Sequence, residues 1–134
     1  MEKHIAKVLI IDEAGEYLTL WRSDHPTFPN DPDLPGGTVE VGETPAEGGV
    51  REVMEEAGID INAEDTELLY QGSKYSEHGT VYYLYLAHIG ERQEVKISWE
   101  HESFEWLNRD DLVSVAKSAN DTYMHMVSEV LSSN

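Results

Sequence analysis

Residues 37–59 read Gly37-Thr38-Val39-Glu40-Val41-Gly42-Glu43-Thr44-Pro45-Ala46-Glu47-Gly48-Gly49-Val50-Arg51-Glu52-Val53-Met54-Glu55-Glu56-Ala57-Gly58-Ile59. The second half of this stretch carries the start and stop signals of one helix. Thr44 is a good N-cap, Pro45 suits the first helical position, and Glu47 completes a T-x-x-E capping box. Gly58 fits the left-handed residue just past a helix end. The spacing predicts a helix over Thr44 to Ala57, with Ala46, Val50, Val53 and Ala57 as its buried stripe. Gly48-Gly49 in mid-helix costs up to about 1 kcal/mol each relative to alanine. Close packing of this helix on a strand would account for the pair.

The same helix holds acids that packing does not explain. Glu52 and Glu56 are four apart and share a face, with Glu55 beside them, and like charges at that spacing repel. Glu55 and Glu56 also fall in the last turn, where the helix dipole disfavours carboxylates. A divalent cation between such groups would stabilise them; otherwise they form an ordinary solvated acidic face. Ahead of the helix, Leu34-Pro35-Gly36-Gly37 offers two adjacent glycines, which allow positive φ and close approach of backbone to a ligand.

Outward from this centre, Ile5 to Ile11 is apolar and β-branched, Asp12-Glu13-Ala14-Gly15 reads as a turn, and Tyr17 to Trp21 as a returning strand. Together they predict a hairpin. Ser23 to Pro35 contains four prolines and reads as a loop without regular structure. Glu67 to Gly72, Val81 to Ile89 and Ser103 to Leu107 read as strands. Asn108 or Asp110 would cap a helix through Leu112, Val115 and Ala116. Tyr123 to Leu131 closes the chain as a helix with Met124, Val127 and Leu131 on one stripe. This mixture predicts one α+β domain over residues 1–134, an αβα sandwich around a mixed sheet.

Composition narrows the function classes. The 134 residues include 27 acids against 9 Lys plus Arg, a formal charge of −18. That excess argues against a nucleic-acid groove or an anionic membrane surface as partner. Cysteine is absent, so a metal would be held by oxygen or imidazole, and hard oxygen ligands suit magnesium, manganese or calcium. No apolar run approaches the ~20 residues of a membrane span, and Met1-Glu2-Lys3-His4 lacks a secretory pattern. A cytoplasmic protein is expected.

Gly37, five residues, Glu43, seven residues, then Arg51-Glu52-Val53-Met54-Glu55-Glu56-Ala57-Gly58-Ile59 resembles the box of the Nudix hydrolase family, of which MutT-like proteins are examples. The family pattern is G-x5-E-x7-R-E-U-x-E-E-x-G-U, with U a bulky aliphatic, and every specified position matches. From ordinary residue frequencies a chance match is roughly one in a million. The resemblance implies the sandwich fold and Mg2+-dependent hydrolysis (Mn2+ substituting) of a pyrophosphate bond in a nucleoside diphosphate linked to another moiety. It also implies a small-molecule nucleotide as partner, and it is compatible with a homodimer.

Residue roles follow by position. Glu52, Glu55 and Glu56 look like metal-binding carboxylates, one of them serving as general base, with Glu55, Glu52 and Arg51 as the catalytic set. The carbonyl of Gly37 is similar to one that completes the metal shell, and Arg51 looks like the residue that orients the carboxylates. Glu43 looks structural. Glu100, preferred over Glu102, resembles a further ligand or base outside the box. Arg22, with Gly36 and Gly37, looks like a substrate contact; the alternative for Arg22 is a surface charge. His25 and His78 lie in expected loops that could touch substrate, and Tyr75, Tyr82, Tyr83 and Tyr85 read mostly as strand packing, the alternative being that one ring stacks on a nucleobase. The family often places an aromatic residue shortly before Leu-Pro-Gly-Gly, where this chain has Pro32-Asp33. Two other readings use the same residues: a silent Nudix domain that senses a nucleotide, and a calcium module, although no EF-hand loop is present.

Overall fold

The computed structural model describes residues 2–23, 28–76 and 78–133. Strand β1 (His4–Asp12) lies at the centre of the sheet. It pairs in parallel with β6 (Val81–Gly90) along its full length. A central parallel strand is covered on both faces, which is why its sequence is almost continuously apolar. Ala6, Val8 and Ile10 point into one core with Val53, Ala57 and Ile59; Leu9 points into a second core with Leu84, Leu112 and Tyr123.

Helix α1 (Pro45–Ala57) covers the first face. Helices α2 (Arg109–Lys117) and α3 (Tyr123–Ser132) cover the other. Strand β5 (Thr66–Gly72) pairs with β6 at one end of the sheet, and β7 (His101–Leu107) pairs with β2 (Tyr17–Arg22) at the other. The expected αβα sandwich with a mixed sheet is therefore the observed fold. No helix among the described residues is long and apolar enough to cross a membrane.

Two expectations need correction. The hairpin of β1 and β2 is closed only at its turn, where Ile11 pairs with Tyr17. Beyond that pair the chain between residues 32 and 38 fills the space between the strands. Strand β3 (Pro32–Asp33) pairs with β2, and β4 (Gly36–Thr38) pairs with β1. What reads as loop up to Pro35 thus ends in a buried strand, because Pro32 and Asp33 complete hydrogen-bonding positions that β1 leaves open on β2.

The α1 stripe also differs. Its buried residues are Gly48, Gly49, Val53, Glu56 and Ala57. A β-carbon on Gly49 would sit 3.3 Å from both the Ala6 and Val8 side chains of β1. The glycine pair lets the helix approach the sheet closely, and Glu56 is carried inward with it.

Candidate active site

The helix that carries the acids is fastened at both ends. Thr44 Oγ1 accepts from the Glu47 N–H at 3.2 Å, and Glu47 Oε1 accepts from the Thr44 N–H at 2.8 Å. Gly58 adopts φ 69° and donates its N–H to the Met54 carbonyl. No basic residue stands in the last turn to offset Glu55 and Glu56.

Arg51 does that work from within the helix. Its Nε and Nη2 donate to the two oxygens of Glu43 at 2.7 and 3.1 Å, a fork-to-fork pair. Nη1 donates to Glu52 at 2.8 Å and to Glu55 at 3.2 Å, and Nη2 also reaches the Thr38 carbonyl at 3.1 Å. Glu43 in turn accepts the Glu40 N–H at 2.9 Å, which shapes the loop before the helix. The Arg51 bond holds the Glu43 carboxyl below its usual range.

Beside this fan opens a cleft of about 650 Å³. Gly36, Gly37, Glu52, Glu56, Glu100 and Arg22 all line it, so six of the expected site residues meet there. Glu55 is more than half exposed, and Glu55, Arg51 and Glu102 are not among the residues lining the cleft. The segment from β6 to β7 brings Glu100 in: Ser98 donates its N–H to the Glu56 carbonyl, and Ser23 donates its N–H to the Glu100 carbonyl.

Neither glycine leaves room for a side chain beside its present neighbours, backbone at Gly36 and the Glu52 side chain at Gly37. A β-carbon on Gly36, whose φ is 144°, would lie 2.1 Å from the Ala6 carbonyl oxygen. One on Gly37 would lie 2.5 Å from Glu52 Oε2. The Glu52 carboxylate thus rests in a cradle that any side chain at position 37 would fill.

Glu56 is 6% exposed. Burial pushes its carboxyl up to about 8; Lys7 and the Gly36 N–H pull it down, while Asp33 and Glu100 add to the rise. An acid so placed is short of positive charge. Among the described residues no three potential ligands stand close enough to grip an ion as they are, since Glu52 and Glu55 turn toward Arg51. The donor set nevertheless fits a hard cation: several carboxylates, one buried and undercompensated, beside the Gly36–Gly37 backbone.

The opposite wall was not read from the sequence. Asp33, on β3, is its hub. Lys7 Nζ approaches Asp33 Oδ1 at 3.0 Å, Arg22 Nη2 approaches the same oxygen at 3.3 Å, and His101 Nε2 lies 3.0 Å from Oδ2. The Tyr123 hydroxyl donates to Asp33 and accepts the Leu34 N–H. Burial alone would raise the Asp33 carboxyl; Lys7, His101, Arg22 and Tyr123 together hold it well below the usual range. Arg22 is no surface charge: it is buried, also bridges to Asp121 at 3.1 Å, and keeps Nη1 without a partner among the described residues. A lysine in the middle of an apolar strand, at position 7, was the signal available in the sequence. His101 is buried here too, although its neighbours in the sequence suggest nothing of the kind.

The remaining expectations divide. Tyr82 lines the cleft, whereas Tyr83 and Tyr85 pack against α1 and Tyr75 donates to Glu129. His78 is exposed and not among the residues lining the cleft. His25 lies outside the described residues.

Comparison with known proteins agrees with this architecture. The NUDIX domain matches residues 2–128. A MutT-like protein of Streptomyces ambofaciens is 35% identical over 65 residues, covering 48% of this chain and 40% of its own length. A MutT/nudix family protein of Enterococcus faecalis superposes with a TM-score of 0.69 at 29% identity, over 79% of this chain and 43% of that one. An Ap4A hydrolase of C. elegans superposes with a TM-score of 0.73 at 24% identity, over 96% and 93% of the two chains. The chain spans half or less of the length of the curated relatives it matches.

Proposed function

The chain belongs to the Nudix family, and from that premise we propose that it hydrolyses a pyrophosphate bond in a nucleoside diphosphate linked to another moiety. A nucleoside triphosphate or a nucleotide sugar is the substrate class, and Mg2+, with Mn2+ as substitute, is the cofactor. The observation that carries the reading is the buried Glu56, facing Gly36 and sharing one cleft with Glu52, Gly37 and Glu100.

Glu52, Glu56, Glu100 and the carbonyl of Gly37, on the cleft, would hold the cation, with Glu55 turning in from Arg51 to join them. When bound, it would neutralise the dense negative charge that otherwise repels a nucleophile from a pyrophosphate. Arg51 orients Glu52 and Glu55. A glutamate of this set accepts the proton of the attacking water as oxygen bonds to phosphorus and the bridging P–O bond breaks. Arg22, whose Nη1 has no partner among the described residues, and Lys7 would face the phosphate oxygens from the other wall. The acidic surface would repel such a substrate at long range, so attraction rests on the site itself.

The test is turnover of nucleoside triphosphates, nucleotide sugars and dinucleoside polyphosphates, each with and without magnesium. Metal-dependent cleavage of any of them is expected. Folded protein that binds magnesium but cleaves none would overturn the reading.

A further inference from the structure

Four aromatic rings border the cleft: Phe28, Tyr82, Trp99 and Tyr123. Tyr123 is buried, and Tyr82 stacks on it with centroids 5.2 Å apart and planes 7° apart. Phe28 lies against the Arg22 guanidinium at 5.8 Å. Trp99 alone of the four is almost wholly uncovered, with 88% of its surface exposed. Tryptophan is on average a well-buried residue, and this one stands uncovered at the border of a polar cleft with its face free to stack.

The ring is exposed, but its backbone is not loose. Ser23 Oγ donates to the Trp99 carbonyl at 3.1 Å, and the Ser23 N–H donates to the next carbonyl, that of Glu100, at 3.2 Å. On the other side Ser98 donates its N–H to Glu56 at 3.1 Å, and His101 donates back to Ser98 at 3.2 Å. Trp99 is thereby pinned between Arg22's neighbour and the end of α1. It adjoins Glu100, whose charge reaches Glu56. The positions just before Leu34-Pro35-Gly36-Gly37 supply no aromatic ring, since they are Pro32 and Asp33, both buried against β2.

We infer that Trp99 is the platform on which the base of the substrate stacks, and hence the residue that selects nucleotides over diphosphates lacking a base. This rests on the nucleoside-diphosphate reading above. An indole face reads ring area rather than hydrogen-bonding edges. Purines are therefore preferred to pyrimidines, with little discrimination between the purines. A flat ring on a pinned backbone also loses little freedom on binding.

The experiment uses the whole protein without metal and follows tryptophan fluorescence and calorimetric affinity with AMP, CMP and ribose 5-phosphate. AMP should quench most, CMP less, and ribose 5-phosphate not at all. Trp99→Leu should lose the quench and weaken AMP roughly 5- to 150-fold, the range base stacking on an aromatic ring supports. Trp99→Phe should recover most of that affinity. In turnover the loss should fall on KM more than on kcat. Equal AMP affinity in wild type and Trp99→Leu would overturn the inference, as would ribose 5-phosphate binding as tightly as AMP. Wild-type protein that cleaves nucleotides while Trp99→Leu keeps its KM would sink the platform alone. Cleavage confined to diphosphates without a base would sink the nucleoside reading and the platform with it.

Discussion

The N–H of Gly36 donates to Glu56 Oε1 at 3.2 Å, joining the glycine loop to the one acid of α1 that is driven into the interior. A single neutral donor does not compensate a buried carboxylate.

The first prediction concerns that acid. Burial raises its pKa from 4.5 to about 8, so the metal-free native state takes up a proton that the unfolded chain has already lost. The resulting stability is fully present below about pH 4.5 and is lost as pH rises through about 8. Glu56→Gln should lack this decline. Its thermal midpoint in chelator should exceed that of wild type by a margin that grows across this window, at roughly 3–5 °C per kcal/mol. The same variant should lose turnover, and magnesium should raise the midpoint of wild type only. Parallel pH profiles for the two proteins would refute the assignment.

The two loop glycines should fail differently. Alanine at position 36 meets backbone atoms of Ala6 and Lys7 at a φ of 144°, and nothing there can give way. Gly36→Ala should therefore fold poorly or not at all. At position 37 the nearest atoms all belong to the Glu52 side chain. Gly37→Ala should melt near the wild-type midpoint yet require much more magnesium for activity. Unfolding midpoints and magnesium titrations of the rate would separate these outcomes.

Arg51→Lys keeps the charge but loses the fork that serves Glu43, Glu52 and Glu55 together. Activity or metal affinity should fall roughly 10- to 100-fold, the usual cost of losing a group that orients ligands. Because Arg51 is only partly buried, stability should change little. A variant with wild-type magnesium dependence would show that the fan is merely an exposed ion-pair network.

Asp33→Ala would leave Lys7 and Arg22 facing each other in a buried space. Breaking such a network costs roughly 3–5 kcal/mol. Denaturant unfolding should register that loss even in chelator, where the metal contributes nothing. A loss well under 1 kcal/mol would mean that water, rather than Asp33, compensates these cations.

How much of this was legible depends on how far apart the interacting residues lie. Helix α1 was readable because its signals are local: Thr44, Glu47 and Gly58 act on backbone groups within four residues. The acids of the box stand out for the same reason, since the spacing of Glu52 and Glu56 fixes their shared face. The strands announced themselves by apolar runs. The parting of β1 from β2 and the burial of Pro32-Asp33 did not, because each answers to a partner on another element; Gly48-Gly49 pointed to close packing on a strand, and the structure supplies that strand as β1.

Local signals specified the sandwich, the capped helix and the clustering of acids on α1, since periodicity, capping and spacing are properties of neighbouring residues. Tertiary structure alone decided which acids enter the cleft. It buried Glu56, left Glu55 outside, and tied Arg22 to Asp33 and Asp121. It also gathered Lys7, Asp33, His101 and Tyr123 from four separate segments. Those outcomes depend on sheet register and helix docking, where one step along a strand turns a side chain to the opposite face.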